Sequence, residues 1–487
     1  MCCSCCGVLQ QKIWLFLTAT IFLASGLILV ISWRDFATNY IYKILPLTAG
    51  SFIYDKWVET PIPVYLHIYL FNWTNPEQVR IKRVKPHFEE IGPFVYREEK
   101  IKEDVTWNSN KTVSFFGKRT WYFEPELSGA PIDVPITCPH IPSLAAAYTI
   151  RNKPRLVKFA FNRVLNNNGG ALYATHTAGE WLFDAFYDEL LDYAMKLNSS
   201  LSPPIDTNEF AWFLNRNGSK EFDGLFTIHT GQGNLRQMGE IKFWNGLNHT
   251  GYFDDECGRI NGSTSDLWVP NRSHDEYITI YITDTCRIIN LMPTAETKVA
   301  GIKAIKYETQ PDTFDNGQRN TDMKCYCPKE LQPNNCPATG ATHMGSCTQD
   351  LPIFLSHPHF MYADESYAHK INGMEPNYDR HKFFITMEPK LGIPLQVNAN
   401  VMVSLQVRND SDITILHDIN DFYAPLLTIS SKAEVTDELA SEIKRVLSLP
   451  AIGFWIGVGL ISIGGIIGAI GIYLTATHNW YSEYKKT

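Results

Sequence analysis

The chain is short of basic charge: 43 lysines and arginines stand against 51 aspartates and glutamates, a formal net charge of −8. That balance argues against nucleic acid as a partner, which would need a dominant basic surface. Catalytic signatures are missing as well. No HExxH, GxSxG or glycine-rich phosphate loop occurs, and no zinc signature, so neither a cofactor nor a metal is implied and enzymatic chemistry is not expected. His357 and His359 in SHPHF offer two ligands at most, and in a proline-bounded loop they read as structural. No Pro/Gly/Ser linker or low-complexity segment interrupts residues 34–450, so that stretch reads as one large domain. Charge is absent altogether from two further stretches, residues 13–33 and 451–474.

Each of those stretches has about the 20 residues that a bilayer core requires. The second, GFWIGVGLISIGGIIGAIGIYL from Gly453, is rich in glycine. A glycine inside a helix in water costs about 1 kcal/mol relative to alanine, whereas in lipid it offers a flat surface on which another helix can lie. At 100° per residue, Gly453, Gly457, Gly464, Gly468 and Gly471 share one face about 60° wide. Two partners suit that face: Thr20 and Ala24 of the first stretch, or the same helix in a second copy, which would make a homo-oligomer. A cleaved signal peptide is the alternative reading of residues 13–33, but its apolar region would be shorter. The expected division is a cytosolic tail 1–12, a transmembrane helix 13–33, an ectodomain 34–450, a second transmembrane helix 451–474 and a cytosolic tail 475–487.

Lysine and arginine do not settle the orientation, because Lys12, Lys485 and Lys486 are balanced by Arg34, Lys43, Lys444 and Arg445. Glycosylation sequons do. They begin at Asn72, Asn110, Asn198, Asn217, Asn248, Asn261, Asn271 and Asn409, and none lies outside the central domain. Six of the eleven cysteines, Cys257, Cys286, Cys325, Cys327, Cys336 and Cys347, cluster in one stretch, as a disulfide framework would in an oxidising compartment. Zinc is the competing reading, though a CxC beside sequons fits disulfides better. Six cysteines allow 15 connectivities. Cys2, Cys3, Cys5 and Cys6 in MCCSCCG then face the reducing cytosol against the bilayer, where such thiols are S-acylated.

Several segments together resemble the CD36 family of class B scavenger receptors: FNWTNPEQV (71–79), IGPFVYRE (91–98), MKCYCPKE (323–330), LSHPHFMYAD (355–364), INGMEPN (371–377) and MEPKLGIPLQV (387–397). The resemblance runs through essentially the whole chain, and the MCCSCCG start is most like the insect croquemort-like branch. It implies an α+β fold, with an antiparallel β-barrel-like core, an apical helical bundle and a hydrophobic tunnel running toward the bilayer. It also implies the pairing Cys257–Cys325, Cys286–Cys347 and Cys327–Cys336. Cys138 is left over, as a buried free thiol. The implied ligands are fatty acids, phospholipids, lipoproteins or apoptotic cells. Where the mammalian branch has a lysine implicated in fatty-acid contact, this chain has Asn167.

The residue patterns themselves read as strands at 63–73 and 276–284. LQVNANVMVSLQVR (395–408) alternates apolar and polar positions like a half-buried strand, and helical patterns fall at 143–150, 155–165 and 178–197. No acid occurs between Asp133 and Glu180, while Arg151, Lys153, Arg155, Lys158 and Arg163 accumulate there. A solvated face is the plain reading of such a run; a capture surface for anionic lipid particles is the functional one. The cytosolic tail ATHNWYSEYKKT carries no acidic dileucine signal and YSEY lacks an aliphatic fourth residue, so surface residence is expected over lysosomal trafficking. Chemosensory lipid delivery is a third role open to the family, and a two-span ectoenzyme the alternative of another class.

Overall fold

β1 (Val64–Trp73), with Val64, Leu66 and Ile68 on one face and Tyr65, His67 and Tyr69 on the other, is flanked on both sides, antiparallel to β2 (Phe88–Trp107) and to β11 (Phe422–Glu434). From β2 the sheet continues through β3 (Thr112–Phe123), β4 (Leu225–His229) and β5 (Ile241–Trp244). From β11 it returns through β10 (Ile393–Val407), β9 (Phe384–Glu388), β8 (Ile302–Glu308) and β7 (Arg287–Val299) to β6 (Ile278–Ile282). Residues 262–263 bridge the remaining gap. Ile241 N donates to Gly262 O at 2.8 Å, Ser263 N to Thr279 O at 2.9 Å, and Tyr281 N to Ser263 O at 3.1 Å. The path from β6 back to β5 is thereby closed into a barrel, with Ile353–Ser356 and Ala341–His343 branching from β10. Gly262 permits this approach: its φ is +81°, and a Cβ there would strike the Thr279 carbonyl.

This computed structural model describes residues 7–81, 84–197, 207–327, 336–349 and 351–480. Cys2, Cys3, Cys5, Cys6, Asn198 and the sorting-signal residues 481–487 lie outside them. The chain forms two compact units, Leu47–Val435 and the paired terminal segments Met1–Pro46 and Thr436–Thr487.

The long alternating strand, β10, is buried the opposite way from a strand with an apolar core side and a wet polar side. This holds for its middle, where Val397, Ala399, Val401 and Val403 are half-exposed and Asn400, Met402 and Ser404 on the polar face are buried; toward its ends Leu395, Leu405 and Val407 are buried on the apolar face. Through the register, Val397 lies opposite Ala433, Ala433 opposite Val64, and Val64 opposite Glu98, so these residues share the inner face. Central strands with half-exposed inward residues enclose unfilled space. The outer face is covered instead by residues 356–383: Asn398 Nδ2 and Asn400 Nδ2 donate to Lys382 O at 3.1 and 2.8 Å.

After helices α1 (Val8–Ile44) and α2 (Phe52–Val58), the excursion between β3 and β4 holds α3 (Ile141–Ile150), α4 (Arg155–Asn167) and α5 (Glu189–Leu197). Residues 178–197 do not form one helix. A π turn over Glu180–Asp184 ends at Ala185, whose φ is +63°, and Phe186–Tyr187 pairs as a short strand with Glu209–Phe210. Asp188 then starts α5 by accepting from Leu191 N at 2.8 Å. Disulfides join Cys257–Cys325, Cys286–Cys347 and Cys327–Cys336, and Cys138 is a free buried thiol, its pKa raised by burial.

In the terminal unit, helices Val8–Ile44 and Asp437–Ala476 extend beyond the apolar runs at both ends, and both are long and apolar enough to cross a membrane. They pack antiparallel along the glycine stripe. A Cβ on Gly457 would lie 2.9 Å from Gly26 O, and one on Gly464 2.9 Å from Leu23 N and 3.0 Å from Ala19 O; Gly453 faces Trp33 and Gly471 faces Leu15. The stripe is used inside the chain, on Ala19 and Gly26 rather than Thr20 and Ala24, so self-association would need another face. Gly459 and Gly465 face open space. Gly457→Leu with Gly464→Leu is therefore expected to reduce surface delivery several-fold, with Gly459→Leu matching wild type; surface biotinylation checks both.

Candidate functional site

Helix α4 seats Leu165 in the core with Phe161 and Val164 packed beside it, turns a polar seam toward the 410–414 loop, and leaves a second apolar seam outward. Lys158, only 8% exposed, pairs with Asp410 at 2.6 Å, and Arg155 Nε lies 3.3 Å from Asp412 Oδ1. Asn162 Nδ2 donates to Asp412 O at 2.8 Å, while its Oδ1 accepts from Thr414 N at 2.9 Å. These contacts fasten the helix to the 410–414 loop. Leu156 and Phe159 consequently point away, 79% and 71% exposed. At 100° per residue they share one face with Ala160 and Arg163.

The five cations of the sequence pattern do not act as one patch. Lys158 is spent internally and Arg155 is paired, although its side chain stays exposed. Arg151 folds over the Tyr148 ring at 3.5 Å and donates to Tyr148 O at 2.7 Å. Lys153 and Arg163 are exposed and pair with no acid among the described residues. Asp410 and Asp412 come from some 250 positions along the chain, beyond the reach of a charge count over the local window. That count also passed over Leu156 and Phe159, whose exposure depends on which side of α4 is held down.

Beneath α4, Ser143, His140 and Asp188 form a buried chain. The Ser143 hydroxyl lies 2.6 Å from His140 Nδ1, and His140 Nε2 lies 2.8 Å from Asp188 Oδ2. Ser143 Oγ also accepts from Ala171 N at 3.1 Å and is wholly buried, so the chain fastens α3, α5 and the Ala171 turn to each other. His357 is buried, and burial depresses its pKa to about 4. His359 Nε2 lies 3.2 Å from Glu90 Oε1. Among the described residues, no group of three or more His, Cys, Asp or Glu side chains is arranged to hold a metal ion.

The inner face of the barrel has two characters. Leu66, Ile68, Val397, Val401 and Ile429 make one wall apolar. Along β2 and β3 the same face carries Glu98, Lys100, Lys102 and Arg119. Each charge has a partner, as burial demands. Lys100 Nζ lies 3.3 Å from Glu98, Lys102 Nζ lies 3.2 Å from Asp266, and Arg119 meets Asp223 and Asp284. Burial alone would lower both lysines; it prevails at Lys102, while Glu98 and Asp266 hold Lys100 above its ordinary value. A cavity of about 140 Å³ opens here, lined by Lys100, Lys102, Phe115, Arg119, Phe226 and Asp266. The interior is thus not uniformly hydrophobic, since Lys and Glu at alternate positions of β2 bring an ion-pair ladder into it.

The sequons differ in setting. Asn110, Asn248, Asn271 and Asn409 are exposed. Asn72 is half-buried and accepts from Thr137 N at 2.9 Å; Asn217 is exposed but uses both amide atoms on the Trp121 main chain, at 2.9 and 3.2 Å. Asn261 is half-buried, with a fully buried Oδ1.

A closed barrel with a helical insert, together with an antiparallel pair of terminal helices apolar enough to span a bilayer, fits a two-span membrane protein. The chain belongs to the CD36 family, whose profile matches residues 17–475. It is 30% identical over 452 residues to Protein peste of Drosophila melanogaster, covering 91% of this chain and 79% of that protein. Scavenger receptor class B member 1 of Bos taurus is 29% identical, covering 86% and 80%, and Lysosome membrane protein 2 of Rattus norvegicus is 29% identical, covering 90% and 88%. Two of these names are those of a receptor and of a membrane protein, and the chain, as a member of that family, is not an enzyme.

Proposed function

We propose that this protein is a cell-surface scavenger receptor that captures anionic lipid surfaces, such as phospholipid particles, modified lipoproteins or lipid-exposing apoptotic cells, and passes acyl chains through the barrel interior. The observation that carries this reading is the outer face of α4, where Leu156 and Phe159 stand exposed beside Arg163, with Lys153 one turn before. Apolar side chains flanked by cations suit a lipid interface, with burial into the acyl boundary and attraction to anionic head groups acting together. Moving a 16-carbon chain through water would cost more than about 10 kcal/mol at roughly 0.8 kcal/mol per CH₂. The apolar wall of Leu66, Ile68, Val397 and Val401 lowers that barrier, while the Lys100–Lys102 wall gives a polar head group somewhere to travel.

With the ectodomain outside the cytosol, the exposed Asn110, Asn248 and Asn271 are the sequons best placed to carry glycans, whereas Asn409 commits its Nδ2 to Ile419 O at 2.8 Å. The identity to Lysosome membrane protein 2 supports lysosomal residence as the second reading; steady-state microscopy of untagged protein decides between the two.

For capture, Leu156→Ser with Phe159→Ser is expected to reduce binding of phosphatidylserine vesicles to expressing cells at least tenfold at unchanged surface expression. Lys153→Gln with Arg163→Gln should give a smaller loss that high salt reproduces in wild type, since exposed charges lose reach beyond about 8 Å at physiological salt. Unchanged vesicle binding in both variants would remove α4 as the capture surface.

A further inference from the structure

The outer face of the barrel holds a buried polar patch that capture and conduction do not use. Three strands set it out by register: Tyr65, His67 and Tyr69 of β1 lie opposite Lys432, Ser430 and Thr428 of β11, which lie opposite Asn398, Asn400 and Met402 of β10. Residues 371–383 form its roof. Arg380 sits 5.2 Å above the Tyr69 ring, and Asn400 Nδ2 donates to Lys382 O at 2.8 Å. The His381 ring lies parallel to that of His359 at 4.7 Å, His359 N donates to Met402 Sδ at 3.3 Å, and Met402 lies opposite Thr428 in the register.

Within this patch, His67 Nδ1, Thr428 Oγ1, Ser430 Oγ, His381 Nε2 and Asn398 Oδ1 are buried without a hydrogen-bond partner. Thr428, Ser430 and His381 are at most 4% exposed. His381 Nδ1 accepts from Asn377 N at 3.1 Å, so its proton resides on Nε2, a donor with nothing to receive it. Folded proteins leave few such groups, and a cluster of them on adjoining positions asks for an occupant. The charges nearby are Arg380 and Lys432 against Glu90, which is already engaged by Arg380 and by His359 at 3.2 Å. Lys432 pairs with no acid among the described residues. The neighbourhood is electropositive: burial first, then Lys432, depresses His67 to about 4, and burial, then His359 and Arg380, does the same to His381.

We propose that this patch is an oxyanion site that takes a phosphate group, with Thr428, Ser430 and His381 donating to its oxygens and Arg380 and Lys432 balancing its charge. Hydroxyl and imidazole donors beside a guanidinium and an ammonium are the donor set that phosphate oxygens accept from. The phosphate can come free from solution or on a phospholipid head group, and both present the same oxygens.

The test uses the full-length protein in a maltoside detergent at constant ionic strength, titrated with inorganic phosphate or with dihexanoyl phosphatidic acid and followed by thermal shift. Wild type should show saturable stabilisation. Thr428→Val with Ser430→Ala should raise the half-saturating concentration at least tenfold and Lys432→Gln several-fold, while Tyr281→Phe, which removes a buried unpartnered hydroxyl on another strand, should match wild type. Saturation by both ligands assigns free phosphate; saturation by the lipid alone assigns the head group. If the double variant does not fold, Lys432→Gln on the rim decides. No saturable response to either ligand, or equal responses in wild type and variants, would overturn the site and leave the patch to water.

Discussion

Asp284→Ala is expected to destabilise the barrel by about 3 kcal/mol, read by chemical denaturation of the full-length protein in detergent. Removing one member of a buried ion cluster strands the others, at a typical cost of 3–5 kcal/mol, and the lower end suits side chains 11–29% exposed. Asp284 sits in the turn after β6 and meets Arg119 of β3 at 3.1 Å and also Arg216. It thus clamps strands on either side of the closure at residues 262–263. Burial alone would raise the Asp284 carboxyl, but Arg119 and Arg216 outweigh it and hold the pKa well below the usual carboxylate range. A depressed carboxylate contributes stability that is fully present above its unfolded pKa of about 3.9 and is lost only as pH falls through the folded value. The Asp284→Ala deficit should therefore be the same at pH 5 and pH 7.5. A deficit below about 1 kcal/mol would mean that the cluster is dispensable to closure.

Acid should weaken the protein at a different place. His357 is 1% exposed between the rings of Phe314 and Tyr362, at 4.9 and 5.4 Å. Burial brings its pKa down to about 4, and the Gln310 main chain opposes this only weakly. The folded value lies below the unfolded value of about 6.5, so stability is whole above that pH and erodes as pH falls toward 4. At pH 5 this single group removes about 2 kcal/mol. His67 and His381 shift in the same direction and add to the loss. Since a phenyl ring keeps the contacts of His357 with Phe314 and Tyr362, His357→Phe should give up little at pH 7.5 and recover most of that 2 kcal/mol at pH 5. An unchanged difference between the two pH values in His357→Phe would assign the acid lability elsewhere.

The membrane helices, the strand at 63–73 and the glycine stripe were legible in the sequence because each rests on local periodicity or on composition over a few turns. The alternation of 395–408 gave the strand but not its burial. Covering the polar face depends on residues 356–383 folding over it, and leaving the apolar face half-open depends on the barrel closing at Gly262. The region 178–197 shows the same limit: its apolar spacing suits a helix, yet Ala185 at φ +63° and the Phe186–Phe210 pairing divide it.

The candidate site divides along the same line. The sequence by itself determined that cations gather at 151–163 without a nearby acid, that six cysteines cluster, and that two apolar runs flank one domain, all of which are properties of neighbours along the chain. Only the tertiary structure decided that Asp410 and Asp412 neutralise part of that charge, that Leu156 and Phe159 face outward, and that an ion-pair ladder enters the barrel. Those outcomes depend on residues distant in sequence meeting in space, where burial and pairing are fixed by the fold rather than by the order of the chain.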